Sequence, residues 1–344
     1  MKDHKLKFTF TTRKHSCEEN ALQINMEITL SILIGTMNRL PVLKKTLDAL
    51  VGRVKVQHEI IVIDAGSTDG TLEYLRQLKK ITLISDGERV GQAKSLNRVI
   101  KDLKSRYVCW LSDDNIALDG MLDEALKILE SDPQIGMVSL KVKDMTGHLS
   151  DLPYIGGVWS GVLNCNQGML PTGLMQSLGG FDEELRDYGI DIDLTTRVLL
   201  EGYKVVFTKK VAIRHYRDYE ANTWIDPDAR KKRLQNSREL FNRKYVVLVE
   251  IAQHKKFKGK KSPFIPIIFS LYRIVGRRNI SLEKLLGVNE RDWRNVFSGA
   301  HISIWDFLIN WGKPYYLVQK ISLRDLKKIS EQKVNLQEAS NRNV

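Results

Sequence analysis

From Ile28 onward the sequence repeats one unit: a short run of β-branched and aliphatic residues, a polar turn, then a segment of helical period. Residues 28–34 form the first apolar run and end at Gly35, and residues 40–50 place Leu43, Leu47 and Leu50 on one helical face. Residues 59–63, 81–84 and 107–111 read as further strands, and residues 71–78 and 92–103 as the helices between them. Short apolar strands alternating with helices of about ten residues predict an α/β fold: a mainly parallel, Rossmann-like sheet with helices on both faces. Such sheets bind ligands beyond the carboxyl ends of their strands. The polar clusters Thr36-Met37-Asn38-Arg39, Asp64-Ala65-Gly66-Ser67 and Ser112-Asp113-Asp114-Asn115 fall at those ends.

The rest of the chain bounds the function. Its 344 residues, 42% hydrophobic and 28% charged, have a globular composition. Three widely spaced cysteines, Cys17, Cys109 and Cys165, form no CxxC pair, which excludes a disulfide scaffold or a zinc finger and suits a cytoplasmic setting. The N-terminus lacks the apolar core of a secretory signal. The apolar run from Phe264 to Val275 is short of the roughly 20 residues needed to span a bilayer. Of the net charge of +13, +10 resides in residues 246–344, with 18 Lys/Arg against 8 Asp/Glu. The expected organisation is an N-terminal arm over 1–27, a catalytic domain over 28–245, and a basic, aromatic-rich, helical extension over 246–344.

The acidic clusters suggest chemistry. Asp113 and Asp114 follow an apolar strand directly, and adjacent carboxylates need a cation or donor beside them. Hard cations take carboxylate oxygens and share their shell with substrate phosphates. Asp64, also at a strand end, is placed to reach a ligand's base or ribose. Asp69-Gly70 reads as a cap and turn before a helix. Asp193 lies where a helix N-cap is expected. Asp191 stands just before the periodic segment, on a loop preceded by Gly189. His215 closes a strand expected over 211–214.

Taken in order, these segments resemble the family 2 glycosyltransferases of the GT-A fold, of the bacterial polysaccharide and cell-surface glycan type. Residues 31–39 are similar to the family's opening strand and Pro-Thr-Tyr-Asn-Arg turn, with Gly35 and Met37 departing. Residues 61–71 are close to its nucleotide motif, with Ala65 replacing the second Asp. Residues 91–97 resemble the Gly-rich segment that follows. Residues 111–115 stand at the Asp-x-Asp position, with Ser112 replacing the first Asp. Residues 179–183 and 189–194 resemble the acceptor-side Gly-Gly-Phe-Asp-Glu and Glu-Asp motifs, with Ile190 replacing the Glu.

The resemblance implies an inverting, metal-dependent enzyme that moves a sugar from a nucleoside-diphosphate donor to a hydroxyl of a lipid-linked or growing glycan. Thr36, Arg39, Asp64, Arg89, Lys94 and Asp113 would bind the donor: Asp64 holds the base, helped by Arg89 or Lys94, and Asp113 holds the ribose. Asp114 would hold Mg²⁺ or Mn²⁺, with His215 as second ligand, and Asp191 would be the general base. The basic, aromatic extension suits the anionic cytoplasmic face of a membrane, with peripheral attachment. No nucleic-acid partner is expected, since no base-reading motif occurs. Two other readings stay open. A non-catalytic sugar-nucleotide-binding module is compatible with Ser112 and Ile190. A sugar nucleotidyltransferase would need a Gly-rich, basic phosphate loop after the first strand, which residues 35–39 do not form.

Overall fold

The computed structural model describes residues 28–146, 156, 158–159, 162–216, 227–254, 310 and 312–317. Strands β1 (Leu30–Thr36), β2 (His58–Asp64), β3 (Thr82–Ser85) and β4 (Tyr107–Ser112) alternate with helices α1 (Leu40–Arg53), α2 (Thr71–Gln77) and α3 (Gln92–Ile100). The four strands lie parallel in the order β3-β2-β1-β4. Parallel neighbours need a crossover, and the helices supply it. Along β1 the side chains alternate between two cores. Ile32 and Ile34 join Leu43, Leu47 and Leu50 of α1, whereas Leu33 joins Leu96 and Ile100 of α3. Burial of each such side chain contributes roughly 1.5–3 kcal/mol.

Chain order and sheet order diverge after β4. The chain continues through β5 (Asn115–Ala117), α4 (Met121–Glu130), β6 (Ile135–Asp144), the β7 (Val158–Trp159) and β8 (Val162–Leu163) pair, and β9 (Gly168–Pro171). Helices α5 (Thr172–Ser177) and α6 (Ile190–Leu200) precede β10 (Lys204–His215), α7 (Pro227–Lys244), α8 (Val246–His254) and β11 (Tyr315–Leu317). The segment after β6 is rich in glycine (Gly156, Gly157, Gly161, Gly168) and supplies a central strand. β9 enters the sheet antiparallel between β4 and β6. Gly168 makes this insertion possible, because a Cβ there would collide with Cys165 Sγ and approach Val138 O to 2.8 Å. The strand expected over 211–214 is the end of a longer one, β10, whose register shifts against β6 absorb the polar Thr208 to Lys210 stretch.

The expected α/β fold with helices on both faces is the one observed. The extension differs from expectation in its described part. Val246–His254 is helical, but Tyr315–Leu317 pairs antiparallel with β10 and buries Tyr316. Two tyrosines and a leucine fit a half-buried pleated edge better than a helix. The N-terminal arm, the run from Phe264 to Val275, and Trp293, Trp305 and Trp311 lie outside the described residues.

Helix α6 begins at Ile190, after Gly189 in the left-handed region (φ 80°), so Asp191 and Asp193 both lie in its first turn. Asp193 is therefore not the N-cap that the sequence suggests. Its fully buried carboxylate meets Arg197 Nε at 2.6 Å, Lys244 Nζ at 2.7 Å and Tyr245 Oη at 2.8 Å. It thus ties α6 to α7 and to the cluster of Phe241, Tyr245 and Leu248. Burial works against its charge, but Arg197 and Lys244 outweigh burial and hold the carboxyl below its usual 3.8. Asp193→Ala removes the buried carboxylate that Arg197 and Lys244 share, while Lys244 keeps Asp182 and Arg197 keeps the Leu178 and Gly180 carbonyls. An expected loss of about 3 kcal/mol is measurable by urea unfolding. A depressed folded-state pKa stabilises the protein above pH 3.8 and withdraws that stability as pH falls through the lower folded value. The wild type should accordingly lose stability on acidification more steeply than the variant.

Candidate active site

In the sheet register Thr36 stands opposite Asp64 and Gly35 opposite Ser112, so β1, β2 and β4 end level. A cleft of about 310 Å³ opens over these ends. Thr36, Arg39, Arg89, Asp113, Asp114 and His215, six of the nine expected site residues, line it together.

Arg39 is aimed by the turn between β1 and α1. Asn38 takes a positive φ of 53° and ties this turn to the one after β2: its N–H donates to Ser67 Oγ at 2.9 Å, and its Oδ1 accepts from Thr68 N at 2.7 Å. Arg39, next in the chain, forks across both acidic residues, with Nη1 3.1 Å from Asp113 Oδ1 and Nη2 2.8 Å from Asp114 Oδ2. Thr36 Oγ1 donates to Asp113 Oδ2 at 2.8 Å. Both carboxylates are buried. Burial and the neighbouring Asp114 charge push the Asp113 carboxyl up to about 7, although Arg39 opposes the shift. Asp114 moves the other way: burial is outweighed by His215 and Arg39, which hold it low. The pair therefore keeps its charge first on Asp114.

A third carboxylate completes the cluster. β10 pairs with both β5 and β6, with His215 opposite Asn115 and Asp144. His215 Nδ1 lies 2.9 Å from Asp144 Oδ1, and its Nε2 lies 3.2 Å from Asp114 Oδ1. A neutral imidazole whose Nδ1–H is given to Asp144 turns a lone pair on Nε2 toward the Asp114 oxygen. A hard cation or a second ring proton satisfies two acceptors that face each other in this way. A carboxylate behind a ligating histidine is also the usual outer support of a metal site. Among the described residues no three His, Cys, Asp or Glu side chains form a ready-made cation cage. The donor set, Asp114 Oδ1 and His215 Nε2, fits a cation that completes its shell from a substrate's oxygens.

Basic residues face these acids. Arg89 and Arg230, the latter from α7, line the same cleft, and Arg89 Nη2 is 2.9 Å from Asp187 Oδ2. Asp187 also accepts from the N–H of Gln92, the first residue of α3.

Three expected residues stand elsewhere. Asp64 is fully buried behind Ala65, which lines the cleft in its place. Its Oδ1 accepts from Gly66 N at 3.1 Å and Ser67 N at 3.0 Å, and its Oδ2 has no partner. The carboxylate at this strand end turns into its own loop, so Asp64 holds the turn and does not form the wall. Lys94 points away from the cleft, because Ala93, Leu96, Val99 and Ile100 claim the inward face of α3. Exposed, it lines a separate groove with Asn97, Arg98 and Lys101. Asp191 lies beside Asn164 at the start of α6 and is not among the residues lining the cleft. Burial pushes its carboxyl up, against the Asn164 amide and the Ile192 N–H, which favour the charged form.

Sequence reasoning missed Asp144, Asp187 and Arg230. Asp144 offered a signal: it stands two residues past Val142, the last residue of an apolar-rich run over 136–142, as Asp64 and Asp113 stand just past theirs. Asp187 and Arg230 offered none, since each sits in a polar stretch among other charges.

Comparison with known proteins agrees with the motifs. An uncharacterized glycosyltransferase of Rickettsia bellii is 25% identical over 231 residues, which cover 63% of this chain. The chain spans only 33% of that relative's length. The O-antigen chain rhamnosyltransferase RfbN of Salmonella typhimurium is 25% identical over 215 residues, covering 56% of this chain and 68% of its own. The crystal structure of S. aureus TarS in complex with UDP-GlcNAc aligns over 70% of this chain and 75% of its own, at 15% identity and a TM-score of 0.49. Residues 31–156 match the model of glycosyl transferase family 2, the family that the chain's motifs resemble.

Proposed function

We propose that the protein is an inverting glycosyltransferase that moves a sugar from a nucleoside-diphosphate donor to a hydroxyl of a glycan or lipid-linked acceptor. The observation that carries this reading is the facing pair Asp114 Oδ1 and His215 Nε2, 3.2 Å apart, backed by Asp144 and set opposite Arg39, Arg89 and Arg230 in one cleft. Mg²⁺ or Mn²⁺ held by Asp114 and His215 would supply positive charge to the diphosphate as it leaves.

The chain's own residues account for the remainder. Arg39 and Arg89 would bind the diphosphate oxygens, and their charges would stabilise a leaving group whose negative charge grows as the glycosidic bond breaks. Asp113, anchored by Thr36, would take a ribose hydroxyl, and Asp64 would act on the base through the Gly66-Ser67 turn. Asp191 would accept the proton of the acceptor hydroxyl. A single base opposite the leaving group implies direct displacement, hence inversion at the anomeric carbon. RfbN, named for O-antigen chains, is consistent with a glycan acceptor. The basic extension would hold the enzyme at an anionic membrane surface. No helix among the described residues is long and apolar enough to cross a membrane.

A panel of nucleotide sugars in a thermal-shift assay, each with Mg²⁺, Mn²⁺ or chelator, tests the reading. At a donor concentration near 100 times its Kd, stabilisation of about 2.7 kcal/mol is expected. It should require the cation and shrink in His215→Ala. Stabilisation by no nucleotide sugar under any condition would refute the proposal.

A further inference from the structure

The loop Asn164-Cys165-Asn166-Gln167 joins β8 to the central strand β9 and packs against the start of α6. Cys165 N donates to Thr195 Oγ1 at 3.2 Å, and that hydroxyl donates to the Asp191 carbonyl at 2.7 Å. This stitching holds the Asn164 amide against Asp191. Asn164 Nδ2 donates to Asp191 Oδ2 at 2.7 Å and to Asn166 Oδ1 at 2.6 Å. Both partners are acceptors, so the nitrogen must face them and the amide orientation is determined. Asn164 Oδ1 is then left buried with no partner, on a residue only 8% exposed. Native structures rarely strand such an acceptor, and a bound hydroxyl is one way to satisfy it.

We propose that Asn164 is a positioning residue for Asp191, and that its Oδ1 receives a second hydroxyl of the acceptor. The acceptor would then present two neighbouring hydroxyls, as a neutral sugar terminus does. One loses its proton to Asp191 as its oxygen attacks the anomeric carbon and the bond to the diphosphate breaks. The other donates to Asn164. The inference rests on Asp191 as the base. Asp191 Oδ1 is already held by Ile192 N at 3.0 Å, so Asn164 fixes the second oxygen and with it the plane of the carboxylate. The neighbouring titratable groups do not replace this contact. Cys165 is a thiol kept protonated by burial, and Asp193 is engaged with Arg197, Lys244 and Tyr245.

The contact is tested without any substrate by titrating the full chain labelled with ¹³C-aspartate, with the Asp191 signal assigned through Asp191→Asn. Asn164→Ala removes a donor that favours the carboxylate, so the Asp191 midpoint should rise. In the wild type the Asn164 side-chain NH₂ signals should titrate with the same midpoint. Asn164→Asp, of the same shape, should also raise it, and serves if the alanine variant fails to fold. An unchanged Asp191 midpoint in a folded variant would overturn the positioning role. Methyl glycosides added to the wild type should shift the Asn164 NH₂ signals when they carry adjacent hydroxyls and not when one is deoxy. Absence of that difference would overturn the hydroxyl contact. Because these readouts need no turnover, their failure is separate from failure of the transfer reaction, which Asp191→Asn kinetics reports.

Discussion

Asp191→Asn is expected to lower the rate of sugar transfer by about 10²–10⁴-fold, the usual contribution of a positioned general base. The substitution keeps the shape of the side chain and can still accept from Asn164 Nδ2, so the fold should be preserved. Asp191 does not line the donor cleft, and stabilisation by a nucleotide sugar should therefore equal that of the wild type. The loss should appear in kcat and leave donor KM nearly unchanged, since the interaction removed is made only as the hydroxyl reacts. Burial raises the carboxyl above its ordinary 3.8, and a base works only when deprotonated. The wild-type rate should accordingly climb with pH through a value above the ordinary carboxylate range. Nucleotide release monitored against pH checks both points, and wild-type turnover in Asp191→Asn would remove the base assignment.

Asp114→Asn is the second large effect, on the order of 10²–10³-fold in kcat/KM. It removes the charge that meets both Arg39 and His215, in a buried site where each opposed charge weighs more than in water. Dependence on Mg²⁺ or Mn²⁺ should weaken with it. Asp113→Asn is the informative control. Its carboxyl, pushed up to about 7, already spends part of its time neutral near physiological pH, so the neutral amide should cost less. Full retention of cation dependence by Asp114→Asn would count against Asp114 as a metal ligand.

Much of this site was legible before any coordinates. Strand ends in a parallel sheet lie on one edge, so residues just past apolar runs converge whatever their separation in the chain. Thr36, Arg39, Asp113, Asp114 and His215, expected on that basis together with the motifs, line one cleft. Lys94 belongs to a segment that matches a motif, but its helical face is set by Ala93, Leu96 and Val99, which turn it to a separate groove. For Asp64, strand-end position alone does not reveal whether the carboxylate faces outward or back into its own turn. Asp64 Oδ1 accepts from Gly66 N and Ser67 N, so this carboxylate turns toward its own loop.

What the sequence by itself determined is the α/β alternation, the parallel sense of the sheet and the carboxylates at its strand ends. These follow from periodicity and local sterics, which act over a few residues. Only the tertiary structure decided that β9 enters the centre of the sheet, that Asp144 stands behind His215, and that Asn164 holds Asp191. Each depends on register between strands or on a loop meeting a helix across 27 to 71 residues of chain. Contacts at such separation are selected by packing of the whole core, and no local pattern encodes them.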